Sequence, residues 1–461
     1  MLSQAQDYMS DLLAFLETIA AWVALLGVPS NSLMPPPAHN MTSDGGTDHI
    51  FVNGNLARVL LSTWRLQEAK RKGSGDTEYL RQGLAWCDTL VDLQAVTVSS
   101  HGNQAGYWGV GYPVPPNCSV PLRGWCAAAG SIYFGDTGTA VTALSLCHHL
   151  SPDAAQRARF LSTMRRFATF VLEGSAEPPV NKKGTATGFV DPATGSVGCG
   201  YYHCSGRTSE DCARLPGPSL DCPSRSPYTV ATGTTGGAFF AELYGATRNA
   251  SHAEVAVRAM AYEASVALPA GEVPYLLDGA NCTSTNCSSG RWPSVGGPWP
   301  FDTCSYVTEG VAAVALHVPS AQATLVSAWE PTVRWLVRVQ SADGTWGVGG
   351  DAMRSPRVLT LLSWWLWAKA PGDDAAVRAA IERYLDFLRQ SGRGAYGLNR
   401  NTITTGMAGI AVADAIAFGA SFGVALSPPP SPPPPPPLPP PPPPPPLPTH
   451  LPVVRGNPAR L

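Results

Sequence analysis

The sequence predicts an all-α fold, an α/α toroid of six helical hairpins, and three observations carry that prediction. A long amphipathic segment, then a loop, then an apolar Gly-opened segment recurs six times along residues 1–426. The two kinds of segment differ in charge, which assigns one set to the outside and the other to the inside. The connections alternate between short and long, so the long loops gather on one face.

The outer segments cover roughly 7–27, 77–95, 153–173, 251–268, 322–340 and 374–390. In "AAQRARFLSTMRRFATFVLEG" and "AAVRAAIERYLDFLRQSG" apolar residues recur every three or four positions with Arg, Glu and Asp opposite, the pattern of a helix half in water. The inner segments start near Asn53, Asp136, Thr234, Glu309, Ser355 and Thr405. "GTAVTALSLC", "GTTGGAFFAELYG", "EGVAAVALHV" and "GMAGIAVADAIAFG" are apolar all round, as buried helices are. Inner-to-outer connections are short ("SPD", "RNAS", "APGDD"), whereas 97–135, 174–232 and 269–307 are long and read as irregular. Function usually lives on such loops, and inner-helix N-termini facing them favour carboxylates or other anions.

Composition narrows the setting. Of 461 residues only 14% are charged, and the net charge is -2, so there is no basic footprint for nucleic acid. The eleven cysteines are Cys87, Cys118, Cys126, Cys147, Cys199, Cys204, Cys212, Cys222, Cys282, Cys287 and Cys304. Nine fall in Gly/Pro/Ser-rich stretches and read as disulfides in an oxidising compartment. The rival is zinc on Cys199, Cys204, Cys212 and Cys222 around His203, which lacks the C-x2-C spacing of structural zinc. Cys87 and Cys147 lie in helical patterns, as core thiols or a buried pair. Sequons at Asn40, Asn117, Asn249, Asn281 and Asn286 point to export. The N-terminus carries Asp7, Asp11 and Glu17 and no early Lys or Arg, so it reads as an amphipathic helix; an exported chain would then begin upstream of it. Residues 405–426 are apolar but hold Asp414 and several glycines, so no clean membrane span is expected.

The toroid is assigned to 1–426 and a proline-rich extended tail to 427–461. "SPPPSPPPPPPLPPPPPPPPLP" is polyproline II at ~3.1 Å per residue, roughly 65 Å in all. It resembles the hydroxyproline-rich spacers of green-algal and plant wall glycoproteins; the alternative is an intracellular ligand for proline-binding modules.

An aromatic–glycine theme repeats before the inner segments: "GYWGVGYP", "GRWPSVGGPWPFD", "DGTWGVGG" and "GAYGL". "WLVRVQSADGTWGVGG" resembles the QW-type repeat of terpenoid cyclase and protein prenyltransferase toroids, with Gln340, Gly344 and Trp346 matching its Q-x3-G-x-W core. "LVDLQ…GYWG" at 90–109 is a fainter echo. In that family the Gln and Trp tie outer helices to loops, so the resemblance implies fold and stability. The family's catalytic signatures do not match. Gly372-Asp373-Asp374 lacks the first Asp of the acidic proton donor, and His148 and His149 lie on the tight face, away from a zinc site.

Six-hairpin glycoside hydrolases, polysaccharide lyases and sugar epimerases share the layout, which this chain resembles by fold analogy alone. That resemblance implies catalytic carboxylates, His or Tyr at the long-loop face, where Asp136, Asp302, Glu309, Asp343, Asp351, Tyr201, Tyr202, His203, Tyr306 and Arg357 are the candidates. Asp136 and Glu309, at the starts of inner helices two hairpins apart, are assigned as the catalytic pair. Trp108, Trp292, Trp299, Trp346, Tyr306, Asp351 and Arg357 are assigned to substrate binding. Structural alternatives stand beside each: Asp136 as an N-cap, Glu309 on a helix dipole, Asp343 as a turn residue, Asp351 with Arg357 as a loop ion pair, the tryptophans as loop packing. "GTTGG" at 233–237 resembles a phosphate loop without its Lys or strand, and fits close helix packing better. No metal or other cofactor is expected. The leading expectation is a secreted carbohydrate-active toroid acting on wall or matrix polysaccharide, a hydrolase, lyase or epimerase, with matrix glycoproteins as partners through the tail. The alternatives are a non-catalytic glycan-binding wall glycoprotein and a terpene- or prenyl-type enzyme.

Overall fold

A computed structural model describes residues 2–25, 50–70, 73, 75–108, 132–176, 188–201, 224–273, 300–346, 356–369, 374–391 and 402–418. Twelve helical segments make up six hairpins: α1 (Leu2–Leu25) with α2 (Ile50–Lys70), α3 (Thr77–Asp92) with α4 (Phe134–Leu150), and α5 (Ala154–Glu173) with α6. Helix α6 is one run of Thr229–Ala231, the π-helical Thr232–Phe239 and Phe240–Thr247. Then come α7 (Ala250–Val266) with α8 (Pro300–His317), α9 (Gln322–Val339) with α10 (Pro356–Lys369), and α11 (Ala375–Ser391) with α12 (Thr402–Phe418). The even-numbered helices pack side by side in the order α2, α4, α6, α8, α10, α12 and back to α2, a closed inner ring, with the odd-numbered helices outside. This is the expected α/α toroid.

The two sets fold for the reasons read in the sequence. On α11, Val377, Ala380, Ile381, Tyr384, Leu385 and Leu388 are buried while Arg383 and Asp386 are exposed. On α4 every residue from Phe134 to Ser145 is buried. Small residues set the ring spacing: a Cβ on Gly54 of α2 would lie 2.4 Å from Ala140 Cα of α4, and one on Gly233 of α6 would lie 2.6 Å from Val307 Cα of α8. Gly233 belongs to the "GTTGG" run, which here serves close helix packing.

Tight connections start outer helices with short polar caps. Asp76, Asp153 and Asn249 accept from backbone N–H groups at the starts of α3, α5 and α7, and Asp374 accepts from Val377 N at 3.1 Å in α11. At the other face the outer helices end in a repeated turn. Ser99, Leu268 and Ser341 each donate a backbone N–H to the residue four on, and accept from a glycine three on, Gly102, Gly271 and Gly344. Those glycines have φ of 82°, 102° and 88°, which L side chains rarely adopt. After α5 the turn is one residue longer, from Asp191 to Ser196.

The connections expected to be irregular contain short strands. β1 (Ala95–Val98) and β2 (Gln104–Tyr107) form an antiparallel hairpin. β3 (Ile132–Tyr133), β4 (Gly198–Tyr201) and β5 (Ser224–Pro227) form an antiparallel sheet joining the second and third hairpins. Four-residue strands with Gly, Gln and Pro carry too little alternation to read from sequence. Cys87 of α3 and Cys147 of α4 form a buried disulfide, the second of the two alternatives for these residues. Among the described residues no single helix is long and apolar enough to cross a membrane. Residues 427–461 lie outside the described residues.

Candidate functional site

The axis of the inner ring is lined with charge. Arg58 and Arg65 lie seven residues apart on α2, two turns along one face. Arg58 hydrogen-bonds Glu309 of α8, which stands opposite α2 in the ring. Glu309 also accepts from Arg357 of α10, and its Oε2 lies 3.5 Å from Thr139 Oγ1 of α4. Four of the six inner helices thus meet on one carboxylate. Its side chain is 5% exposed, against 14% for Arg58 and 1% for Arg357. Burial pushes the Glu309 carboxyl up, but the charges and hydrogen bonds of Arg357 and Arg58 outweigh it and hold the group below the usual carboxylate range.

Arg357 is held from three sides. Its Nη2 donates to Asn55 Oδ1 at 3.3 Å, and its carbonyl accepts from Thr308 Oγ1 at 2.9 Å. Asn55 must turn its oxygen toward the guanidinium, which leaves its amide nitrogen facing away. Arg357 Nε and Asn55 Nδ2 are buried and have no partner among the described residues. Two orphan donors at one place are costly unless an acceptor oxygen reaches them.

A second carboxyl answers to the same arginine. Asp414 Oδ2 of α12 accepts from Thr360 Oγ1 of α10 at 3.1 Å. Burial pushes Asp414 up, Arg58 pulls it down, Glu309 pushes it up again, and the net is above the usual value. The charge of Arg58 therefore acts on one carboxyl held below its usual range and on another pushed above it, the separation that acid–base pairs need.

Toward the tight-turn end the axis carries a further cluster. Glu242 of α6 accepts from Ser145 of α4 at 2.7 Å and lies 3.2 Å from His317 Nε2 of α8. Burial opposes ionisation of Glu242, but His317, Ser145 and His149 hold it at about 2. Burial lowers His317, and Glu242 more than restores it, so the imidazole titrates above its usual range. Among the described residues no group of three or more His, Cys, Asp or Glu side chains could hold a metal ion.

The sequence-assigned residues fall differently from expectation. Asp136 is the third residue of α4, buried, and is not its N-cap. Glu309 is the tenth residue of α8, not its start, because the helix begins at Pro300, a residue suited to a first turn. The carboxylate therefore sits deep on the axis, away from a helix N-terminus. Arg357 is the second residue of α10, ion-paired to Glu309. Trp108 and Trp346 do not suit sugar stacking: they are 1% and 0% exposed. Their indole N–H groups donate to Leu90 O at 2.7 Å and Leu336 O at 2.8 Å, pinning each loop to the helix before it. Asp343 is a turn residue, accepting from Thr345 N at 3.0 Å and Thr345 Oγ1 at 2.7 Å. Trp292, Trp299, Asp351, Tyr202 and His203 lie outside the described residues, as do the side chains of Tyr201, Asp302 and Tyr306.

Arg58, Arg65, Glu242, His317 and Asp414 were not singled out as site residues. Two of them carried a signal: Glu242 and Asp414 are the lone charges of their inner helical segments, and a buried charge requires a partner. Helices α2 and α8 carry several charged groups, among which Arg58, Arg65 and His317 do not stand out.

No protein-family model matches the chain, and no curated protein matches it. Solved structures do. Cellobiose 2-epimerase from Spirochaeta thermophila superposes with a TM-score of 0.54 at 13% identity, over 90% of this chain and 98% of that one. A glycosyl hydrolase family 88 structure from Bacteroides vulgatus gives 0.50 at 11% identity, over 89% and 99%. An inactive variant of an α-1,6-mannanase from Salegentibacter sp., in complex with α-1,6-mannotriose, gives 0.50 at 11% identity, over 88% and 99%. At these identities the likeness is one of fold.

Proposed function

We propose that this chain is a carbohydrate-active toroid whose reaction centre lies on the axis of the inner ring, at Glu309. The observation that carries the reading is the pair of carboxyls under Arg58, with Glu309 held ionised and Asp414 pushed up. Asp414 is the proton donor of the proposal. Glu309 is its anionic partner, stabilising positive charge or accepting a proton. The orphan donors Arg357 Nε and Asn55 Nδ2 hold ligand oxygens, which a sugar presents in number. Asp136, buried on α4 one turn before Thr139, is kept as a third carboxyl to be tested. The epimerase and hydrolases that share the fold support the carbohydrate class, and the same acid–base groups suit a hydrolase, a lyase or an epimerase.

Wall or matrix polysaccharide as substrate, and export to reach it, belong to the same proposal. The Cys87–Cys147 disulfide, the sequons and the proline-rich tail support them, the tail being the contact for matrix glycoproteins. A second reading, a non-catalytic glycan-binding toroid, is favoured by the enclosure of Glu309 and Arg357 and by the locked Trp108 and Trp346.

Incubating the protein with a panel of matrix polysaccharides, and mass-analysing the products, separates the two. Products or epimers that vanish in Glu309→Gln and Asp414→Asn, with the fold intact, uphold the enzyme. No product from any glycan, with glycan binding retained, upholds the second reading.

A further inference from the structure

Glu263 is a carboxyl that the fold encloses and leaves unbonded. It is 0% exposed, and among the described residues neither Oε1 nor Oε2 has a hydrogen-bond partner. Counted from Ala250, it is the fourteenth residue of α7. The fourteenth residues of α3, α5, α9 and α11 are Leu90, Phe167, Trp335 and Leu388, all buried and apolar. One outer helix therefore places an ionisable group where the others place core. Without a counterion or a donor, an ionised carboxylate there costs far more than the neutral acid. Burial accordingly pushes Glu263 well above the usual carboxylate range.

The packing around it is close. Ala256, Ala259, Met260 and Glu263 form the buried stripe of α7, which packs against α6, α8 and α9. A Cβ on Gly236 of α6 would lie 2.8 Å from Ala259 Cβ, one on Gly237 of α6 2.5 Å from Met260 Cε, and one on Gly310 of α8 2.7 Å from Met260 Sδ. The Met260 thioether, one turn before Glu263, thus fills the seam where α7 meets both inner helices, and Gly310 directly follows Glu309.

The charges on these elements are engaged elsewhere. On α6, residues 229–240 are uncharged, and Glu242 bonds Ser145 and His317 farther along. On α8, Glu309 is held by Arg58 and Arg357, and His317 by Glu242; the side chains of Asp302, Cys304 and Tyr306 lie outside the described residues. On α9, Arg334 pairs with Glu330 and Asp374, and Arg338 donates to Ala270 O at 3.0 Å. On α7 itself, Arg258 lies against Glu254 and Pro192 O, and His252 against Thr247. The adjoining Tyr262 is held protonated by burial and by the charge Glu263 would carry, and Glu272, in the turn that follows, is half-buried and pushed up by burial.

We infer that Glu263 is a pH-sensitive latch: as a neutral acid it lets α7 close on α6 and α8, and its ionisation opens that seam. In the open seam the carboxyl meets water and ionises around its usual 4.5, whereas in the closed seam it ionises only at higher pH. Closure is therefore fully favoured below 4.5 and weakens as pH climbs, until the closed carboxyl itself ionises. Over that range the open population grows by up to about tenfold per pH unit. The latch is independent of the carbohydrate reading, although it backs onto the helix that carries Glu309.

Peroxide footprinting reads the seam through Met260, whose thioether does not titrate and is 0% exposed when the seam is closed. The whole chain is treated with hydrogen peroxide at about pH 5 and about pH 9, beside free methionine as the reference, and sulfoxide is measured by peptide mass mapping. Met260 oxidation should rise by roughly tenfold or more at the higher pH. Met164 of α5 and Met407 of α12, which are also buried but stand on other helices, should not follow. Glu263→Gln keeps the shape without the charge, and Glu263→Leu restores the residue type of α3 and α11. Each should hold Met260 at its low-pH level, with circular dichroism confirming that the variants are folded. Oxidation of Met260 that ignores pH, or a rise that survives in a folded variant, overturns the inference. So does an equal rise at all three methionines, which would mean global unfolding rather than a latch.

Discussion

Arg58 and Glu309 are joined across the full width of the inner ring, from α2 to the opposite helix α8. Both charges are largely withdrawn from water, and Arg357 bonds the same carboxylate. Removing one member leaves the others buried without a partner. Glu309→Gln should therefore cost about 3–5 kcal/mol, read as a lowered melting temperature and denaturant midpoint. The double variant Arg58→Met/Glu309→Gln should be less destabilised than the two single losses summed, because the pair shares one interaction. Additive losses would contradict the cross-ring pairing.

The pH dependence of stability has a defined sign on each side. Glu242 is held at about 2 against a usual 4.5, so its contribution is full above 4.5 and is lost as pH falls toward 2. His317 is raised above its usual 6.5, so its contribution is full below 6.5 and is lost as pH rises through its folded value. The pair stabilises most between pH 4.5 and 6.5. Asp414, raised above 3.8, runs in the same direction as His317 and opposite to Glu242, and loses stability as pH climbs from that value. Denaturant unfolding across pH should show a smaller alkaline loss in His317→Gln than in wild type. An unchanged slope in the variant would place the alkaline titration elsewhere.

Two glutamines do the same work three hairpins apart. Gln340 Nε2 donates to Ala380 O at 2.8 Å while its Oε1 accepts from Arg383 Nε at 2.9 Å. Gln94 Nε2 donates to Thr163 O at 3.0 Å while its Oε1 accepts from Arg166 Nε at 2.7 Å. In both cases the next outer helix is reached, and the Arg lies three residues beyond the bonded carbonyl. Gln340→Ala and Gln94→Ala should each cost about 2 kcal/mol by thermal denaturation and leave turnover unchanged. A loss of activity larger than the loss of folded protein would contradict a purely structural lock.

Asn249 caps α7 through Oδ1, which accepts from Ser251 N at 3.2 Å, and it is exposed. A glycan would attach to the other side-chain atom, Nδ2, so cap and modification are compatible. Ser251→Ala should abolish glycosylation there and keep the cap, and Asn249→Ala should lose both and cost about 1 kcal/mol. Peptide mass mapping of protein secreted from a eukaryotic host checks the first, and unfolding the second. An unmodified Asn249 peptide in secreted protein would count against the export proposal.

The hairpins were legible because burial and charge divide so cleanly. α5 and α11 show a charged face every turn, and α4 and α12 show almost none. The lock at Gln340 was legible through its spacing to Gly344 and Trp346, and its twin at Gln94 only faintly, because the hairpin of β1 and β2 lengthens the loop between Gln94 and Trp108. Glu309 was legible as a residue but not in depth, since the helix starts nine residues earlier at Pro300. Asp414 stood in plain view as the interruption of an apolar run. Its meaning depends on Arg58, some 350 residues away in sequence and adjacent only once the ring closes. The π-helical turn at Thr232–Phe239 has no sequence marker beyond its glycines.

The central claim is that the axis holds two carboxyls in opposite states under one arginine. Carbon-13 NMR titration of the side-chain carboxyls, assigned by Glu309→Gln and Asp414→Asn, tests it most directly. The Asp414 carboxyl should titrate above 3.8 and the Glu309 carboxyl below 4.5, and Glu309→Gln should shift the Asp414 curve. Two carboxyls titrating at their ordinary values, each indifferent to loss of the other, would contradict the account.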